Sequence, residues 1–324
     1  MAVIRYNCKT NEEWRQERCH SIGASAVATV MGLNKWQTPY ELAVKMREEL
    51  KGNFDYSQNI AMMRGHAYEQ GVAELFSWQT GKQIIKSSSA EYLLRREDIP
   101  FMHCSPDRTY WINSEGMKHG KNAEANKGIL ECKTTRQQID PDNLPLSWLL
   151  QLQVQLGIGG YSEGYIAWDI ISNADGFGYK RFEFSPELFD AAVEACREFW
   201  QNCIVGGNDP DPINAADVVA LYPRHIEGKT LTADVDTIAA LDHIKDLKAQ
   251  AKVLDDEIAQ LTDSIKAKFT DEEAMIDNDG NVLATFKTTS GRTTIDSKKL
   301  KNDYPDIYAV CCKTSAGSRT LLIK

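Results

Sequence analysis

Ile129-Leu130-Glu131-Cys132-Lys133 (residues 129–133) is an apolar run that ends in an acid and a lysine one residue apart. Two-residue alternation makes it a strand with Glu131 and Lys133 on the same face. Ser105-Pro106-Asp107 stands upstream, its acid 24 residues before Glu131, and Gln151 follows downstream in another apolar stretch. Two carboxylates offer hard oxygen ligands to a divalent cation such as Mg2+, and the Cys132 carbonyl adds a backbone oxygen. Lys133 would orient the attacking water or help to deprotonate it. These parts meet the needs of metal-assisted phosphodiester hydrolysis. Taken alone, the same residues also describe an ordinary Pro-Asp turn and two exposed strand positions.

Outward from this segment the pattern is α/β. Phe101–Cys104 and Thr109–Ile112 read as strands, and the polar Asn113–Lys127 stretch as a surface loop. Leu146–Ile158 reads as a helix with Ser147 as its N-cap, placing Trp148, Gln151 and Gln155 on one face. Gly164–Ile171 follows as a strand. Earlier, Ser25–Met31, Thr38–Leu50 and Arg64–Thr80 read as helices, the second opened by Thr38-Pro39 and the third ended by Gly81. Val72, Leu75 and Phe76 form the apolar face of the third.

The 324 residues suffice for one large α/β domain, residues 1–205, and something smaller. A turn-rich boundary, Gly206-Gly207-Asn208-Asp209-Pro210-Asp211-Pro212, opens a linker over 206–231. Ala240, Ile244, Leu247, Ala251, Leu254, Ile258, Leu261 and Ile265 then step alternately by four and three, a heptad seam. It predicts one long helix over about 234–269, within a segment 232–272, that docks on its own chain or pairs as a coiled coil with another. Residues 273–324 form a small basic α+β tail, with strands at Asn281–Thr288 and Arg319–Lys324 and a helix at Ser297–Ala309 between them.

The net charge of −9 is unevenly distributed. Residues 232–280 carry 13 acids and 5 bases, whereas 281–324 carry 3 acids and 8 bases, so the total neither supports nor excludes a nucleic-acid partner. No apolar run of membrane-spanning length is present. The N-terminal residues lack the apolar core of a signal peptide, which leads us to expect a cytoplasmic location. Eight cysteines show no C-x-x-C pair, arguing for reduced thiols and against an iron–sulfur or zinc cluster.

Five short motifs over residues 18–165 carry a resemblance. They are Arg18-x-x-x-Ile22-Gly23-Ala24-Ser25, Gly32-Leu33-Asn34, Thr38-Pro39-Tyr40-Glu41-Leu42, Arg64-Gly65-His66-Ala67-Tyr68-Glu69, and Gln151-Leu152-Gln153-Val154-Gln155-Leu156. With Ser105-Pro106-Asp107 and Glu131-Cys132-Lys133, they resemble the YqaJ-like viral recombinase and lambda exonuclease family of PD-(D/E)xK nucleases. The resemblance implies a restriction-endonuclease-like PD-(D/E)xK core, a central mixed β-sheet flanked by helices. It assigns Glu69, Asp107, Glu131 and the Cys132 carbonyl to a metal site, Lys133 and Gln151 to catalysis, and Arg18, Ser25 and Ser105 to a 5′-terminal phosphate. His66, Gln155 and Trp148 are further candidates. Arg108 departs from the family's usual glycine, the segment from Asp107 to Glu131 is longer than usual, and Trp148 replaces a common tyrosine.

By residue type alone, Arg18 also fits a surface salt bridge, Ser25 an N-cap, and His20 and His103 structural roles. The resemblance implies a nuclease using Mg2+, or Mn2+, with two ions per site. It would digest the 5′-ended strand of duplex DNA and leave 3′ tails for recombination. Its partners would be DNA ends and a single-strand annealing protein, and its assembly a homo-oligomeric ring. A structure- or site-specific endonuclease keeps the same centre. A DNA-binding or assembly protein working through the heptad helix is the alternative in which catalysis is secondary.

Overall fold

The computed structural model describes residues 2–55, 57, 60–85, 92–113, 126–173, 175–313 and 318–323. The chain separates into two compact units, Met1–Leu221 and Tyr222–Lys324.

In the first unit the strands are β1 (Val3–Asn7), β2 (Ile22–Gly23), β3 (Ile84–Ile85), β4 (Tyr92–Arg96), β5 (Ile99–Cys104), β6 (Arg108–Trp111), β7 (Lys127–Thr135), β8 (Glu163–Ile170) and β9 (Phe177–Glu183). The helices are α1 (Asn11–Arg18), α2 (Val27–Val30), α3 (Pro39–Leu50), α4 (Ile60–Thr80), α5 (Leu146–Gly159), α6 (Pro186–Phe199) and α7 (Ala215–Leu221). One sheet runs β1-β4-β5-β2 and the other β3-β6-β7-β8-β9. In the second sheet β7 and β8 are parallel and the other pairs antiparallel. A parallel pair needs a crossover, and α5 supplies it. This central mixed sheet flanked by helices is the α/β fold that the resemblance implied.

Strand alternation sorts β7 between two apolar layers. Leu130 and the half-buried Cys132 pack with Val72, Ala73 and Phe76 of α4. Ile129, one residue out of phase, packs with Leu152 and Leu156 of α5. Glu131 and Lys133 share the parity of Ile129 and therefore lie on the α5 side. A third cluster joins α2, α3, α5 and α6 to β4 and β5.

Local signals explain several boundaries. Thr38 and Glu41 form a reciprocal capping box at the start of α3, with Pro39 in its first turn. Gly81 follows α4 at φ +68° and Gly160 follows α5 at φ +73°, left-handed positions that glycine adopts without a Cβ penalty. Gly128 is required for a different reason. It pairs with Tyr110 across β6 and β7, and a Cβ there would lie 2.4 Å from the Tyr110 ring. That ring is fully buried and its hydroxyl donates to Glu163 at 2.7 Å.

Some expectations need correction. Ser147 does not cap α5: the N-cap is Pro145, without a side-chain bond, because the helix opens at Leu146, two residues before a Ser147 cap would place its start. The Ser25–Met31 segment divides into a 3-10 turn, Ala24–Ala26, and α2. Most of the expected Asn113–Lys127 loop, residues 114–125, lies outside the described residues. In the stretch read as a linker, 206–221 belongs to the first unit, where buried Asp217 accepts from Thr38 Oγ1 at 2.9 Å.

The second unit contains α8 (Val235–Lys266), capped by Asp234 and without a buried residue. A hairpin follows, β10 (Ala274–Ile276) with β11 (Val282–Thr285). The single helix expected at Ser297–Ala309 is two, α9 (Ser297–Asp303) and α10 (Pro305–Cys311). Pro305 accounts for the break, since it disfavours helical backbone at Tyr304, which adopts φ −138° and ψ 62°. Residues 319–323 form no strand, and Lys324 lies outside the described residues.

Candidate active site

Asp107 immediately precedes β6, and its Oδ2 accepts from the Cys132 backbone N–H of β7 at 2.8 Å. That bond fastens the turn to the strand bearing the other two residues. Glu131 is only 2% exposed, and both of its oxygens are engaged. Oε1 accepts from Lys133 Nζ at 2.7 Å and from Gln151 Nε2 at 2.6 Å, while Oε2 accepts from Gln155 Nε2 at 2.7 Å. Lys133 Nζ also donates to Gln151 Oε1 at 2.8 Å, closing a three-residue ring. Helical i, i+4 spacing lets Gln151 and Gln155 approach the same carboxylate.

Electrostatics give these groups different protonation tendencies. Burial, with Glu131 and Glu69 nearby, pushes the Asp107 carboxyl well above its ordinary value. Burial pulls on Lys133 in the direction of a neutral amine, but Glu131 and Asp107 outweigh it and its pKa is raised. In the metal-free protein Lys133 is therefore held as an ammonium, suited to orienting water or stabilising negative charge. Burial and the neighbouring carboxylates push the Cys132 thiol up, so its side chain stays neutral.

Glu69 is placed differently. Arg108 stands opposite Leu130 in the β6–β7 pair and so faces α4, where it forms an ion pair with Glu69. Arg108 Nη2 also donates to Gln70 Oε1 at 3.1 Å. Among the described residues, no three His, Cys, Asp or Glu side chains already form a metal-holding group. The donor chemistry nevertheless fits a hard divalent cation. Asp107, Glu131 and Glu69 supply oxygens; burial, and then the charges of Glu131 and Glu69, raise the Asp107 pKa, and buried Gln155 Oε1 has no hydrogen-bond partner among the described residues.

A cleft of about 1490 Å3 is lined by Arg18, Ser25, Ser105, Glu69, Asp107 and Arg108, among others. Arg18 Nε donates to His103 Nε2 at 3.3 Å, and its guanidinium stacks 4.2 Å from the Trp14 ring centre. Ser25 is exposed on the 3-10 turn. Ser105 Oγ donates to the Tyr92 carbonyl at 2.7 Å, so its proton must leave that bond before reaching a phosphate. His66 is exposed and lines the same cleft. Trp148 instead packs into the apolar cluster around Leu152.

Two features eluded sequence reasoning. In the sequence Arg108 stands out only as a departure from glycine, and its place directly after Asp107 is the one signal there that it belongs to the site. For His103 the sequence supports a structural role but does not show the partners that define it. It is buried, bonds Ser21 Oγ through Nδ1 at 2.9 Å, and accepts from Arg18 at Nε2, which fixes the Nδ1–H tautomer. Arg95 donates to the same Ser21 hydroxyl at 3.0 Å and pairs with Glu17 at 2.9 Å.

Residues 13–162 match the YqaJ-like viral recombinase domain. The uncharacterized protein YqaJ of Bacillus subtilis (strain 168) is 31% identical over 310 residues, 92% of this chain and 90% of that protein. Among solved structures, the chain is similar to an alkaline exonuclease (LHK-Exo) from Laribacter hongkongensis, at 20% identity and a TM-score of 0.48, covering 60% of this chain and 94% of that one. A phage related exonuclease from Haemophilus somnus 129PT is similar at 12% identity and a TM-score of 0.42, covering 58% and 96%. Identity with YqaJ across nine-tenths of both proteins, together with the matched domain over the site-bearing region, places this chain in the YqaJ-like viral recombinase family.

Proposed function

We propose that the protein is a Mg2+-dependent DNA exonuclease that digests the 5′-ended strand of linear duplex DNA. The observation that carries this reading is the convergence of Asp107, Glu131 and Lys133 at the β6–β7 pair, with Gln151 and Gln155 fixing Glu131 from α5. Membership in a viral recombinase family supports DNA as the substrate.

Asp107, Glu131 and the Cys132 carbonyl would hold Mg2+, or Mn2+, as one or two ions, with Glu69 available once Arg108 releases it. The cation would lower the pKa of bound water and offset charge on the phosphate. Lys133, kept as an ammonium, would orient that water by hydrogen bonding. The two glutamines keep the Glu131 carboxylate from rotating. Arg18, Ser25 and Ser105 would hold a terminal 5′-phosphate in the cleft, directing cutting to ends. In recombination, the 3′ tails would pass to a single-strand annealing protein. The exposed α8 seam is compatible with assembly into a homo-oligomeric ring, which light scattering would measure directly.

No helix among the described residues is long and apolar enough to cross a membrane. A cytoplasmic location is part of the proposal.

The test uses linear duplexes ending in 5′-phosphate, 5′-hydroxyl or a closed hairpin, with covalently closed circles as control. Loss of the 5′-ended strand from open ends, faster with phosphate, is expected. Cutting of closed circles would overturn end direction, and loss of the 3′-ended strand would overturn the polarity.

A further inference from the structure

Arg108 begins β6, and its register opposite Leu130 sends the side chain to the α4 face. Three acceptors share its guanidinium there: the Glu69 carboxylate, Gln70 Oε1 at 3.1 Å, and the Asp107 carbonyl at 2.5 Å. Gln70 is itself steadied, since its Nε2 donates to Glu74 Oε1 at 2.7 Å. The Arg108 and Glu69 side chains are 23% and 22% exposed, so the pair borders the solvent of the cleft and is not sealed in the core.

The arrangement joins two chemistries. Glu69 is an oxygen donor whose negative charge already reaches Asp107, and a bound guanidinium keeps it from serving as a ligand. Arg108 is a planar fork suited to two phosphate oxygens, and it begins at the residue following Asp107. A divalent cation competing for Glu69 would release that fork beside the carboxylates.

We propose that Arg108 is the phosphate-binding arginine of the cutting centre, held on Glu69 until a divalent cation takes that carboxylate. The inference rests on the metal-dependent reading of the site. The same side chain then acts as counter-charge in the metal-free protein and as phosphate donor in the loaded one. Gln70 provides the resting contact through which it can turn from one to the other.

The test uses the full chain and Ca2+ as a probe, titrated by calorimetry without DNA. Arg108→Gln removes the competing cation, so Ca2+ should bind about fivefold more tightly, the scale of a partly exposed ion pair. In Mg2+ the same variant should show a KM for duplex ends raised about tenfold, and a salt slope reduced by about one phosphate contact. Glu69→Gln frees Arg108 by another route. It should bind duplex in EDTA more tightly than the unaltered protein, and Glu69→Gln/Arg108→Gln should lose that gain.

Ca2+ affinity that is unchanged or weaker in folded Arg108→Gln overturns the proposal. A gain in DNA binding that survives the double substitution does so as well. Should Arg108→Gln not fold, the absence of any gain in Glu69→Gln is the overturning result. Failure of the underlying reading shows separately, as cutting by the unaltered protein that EDTA leaves intact.

Discussion

Gln155, one helical turn beyond Gln151, donates its Nε2 to Oε2 of Glu131 at 2.7 Å. Oε1 of the same carboxylate is shared by Lys133 and Gln151, so the two oxygens are not equally insured. Gln155→Leu removes the hydrogen bond to Oε2 and should destabilise the metal-free protein by about 1.5–3 kcal/mol, the range for a hydrogen bond to a charged group. Gln151→Leu should cost less, because Lys133 still holds Oε1. Urea unfolding of both variants tests the order, and equal losses would contradict it.

Lys133→Met should have a larger effect on the metal-free protein. It leaves Glu131 as a buried carboxylate without its cation, a change that typically costs about 3–5 kcal/mol. The low end is expected, since Lys133 keeps 20% of its side chain exposed. Mg2+ should recover more thermal stability in this variant than in the unaltered protein, because the ion replaces the missing charge. Thermal unfolding with and without Mg2+ measures the difference.

His103 makes stability depend on pH. Burial, with Arg18 and Arg95 beside it, lowers its pKa well below the ordinary 6.5. The unfolded chain therefore binds a proton that the folded protein resists. The stability contribution is complete above about pH 6.5 and is lost as pH falls below that value and through the folded-state pKa. His103→Gln should flatten the dependence in that acid range, measured as the urea midpoint across a pH series. An unchanged slope would mean that His103 titrates normally.

Gly128→Ala should destabilise the protein by about 1–3 kcal/mol, because an added Cβ would meet the Tyr110 ring at 2.4 Å. The strand pairing that carries Asp107 and Glu131 would shift with it. Tyr110→Leu alongside Gly128→Ala should recover part of any lost cutting. Equal stability of Gly128→Ala and the unaltered protein would contradict the packing account.

The parts of the site written in short-range periodicity were legible in the sequence. Alternation in Ile129–Lys133 placed Glu131 with Lys133, and helical spacing put Gln151 and Gln155 on one face; that this face meets the Glu131 carboxylate is visible only in the structure. The Arg108–Glu69 pair was not legible, because Glu69 lies 39 residues earlier and only the β6–β7 register turns the arginine to α4. The His103 network was hidden for a similar reason: Ser21 lies 82 residues away. Trp148 shared helical spacing with the two glutamines, but apolar packing drew it to the Leu152 cluster. The tail helix was located correctly yet drawn through Pro305, whose restriction on Tyr304 divides it.

In the proposed function, Asp107, Glu131 and Lys133 cut DNA with a divalent cation. Release of nucleotides from a labelled linear duplex in Mg2+, compared with Asp107→Asn and Lys133→Ala after circular dichroism shows them folded, tests it most directly. Both variants should be slower by about a thousandfold, the scale of losing a principal electrostatic contributor to the transition state, and EDTA should stop the unaltered protein. Near-normal release by either folded variant would contradict the account.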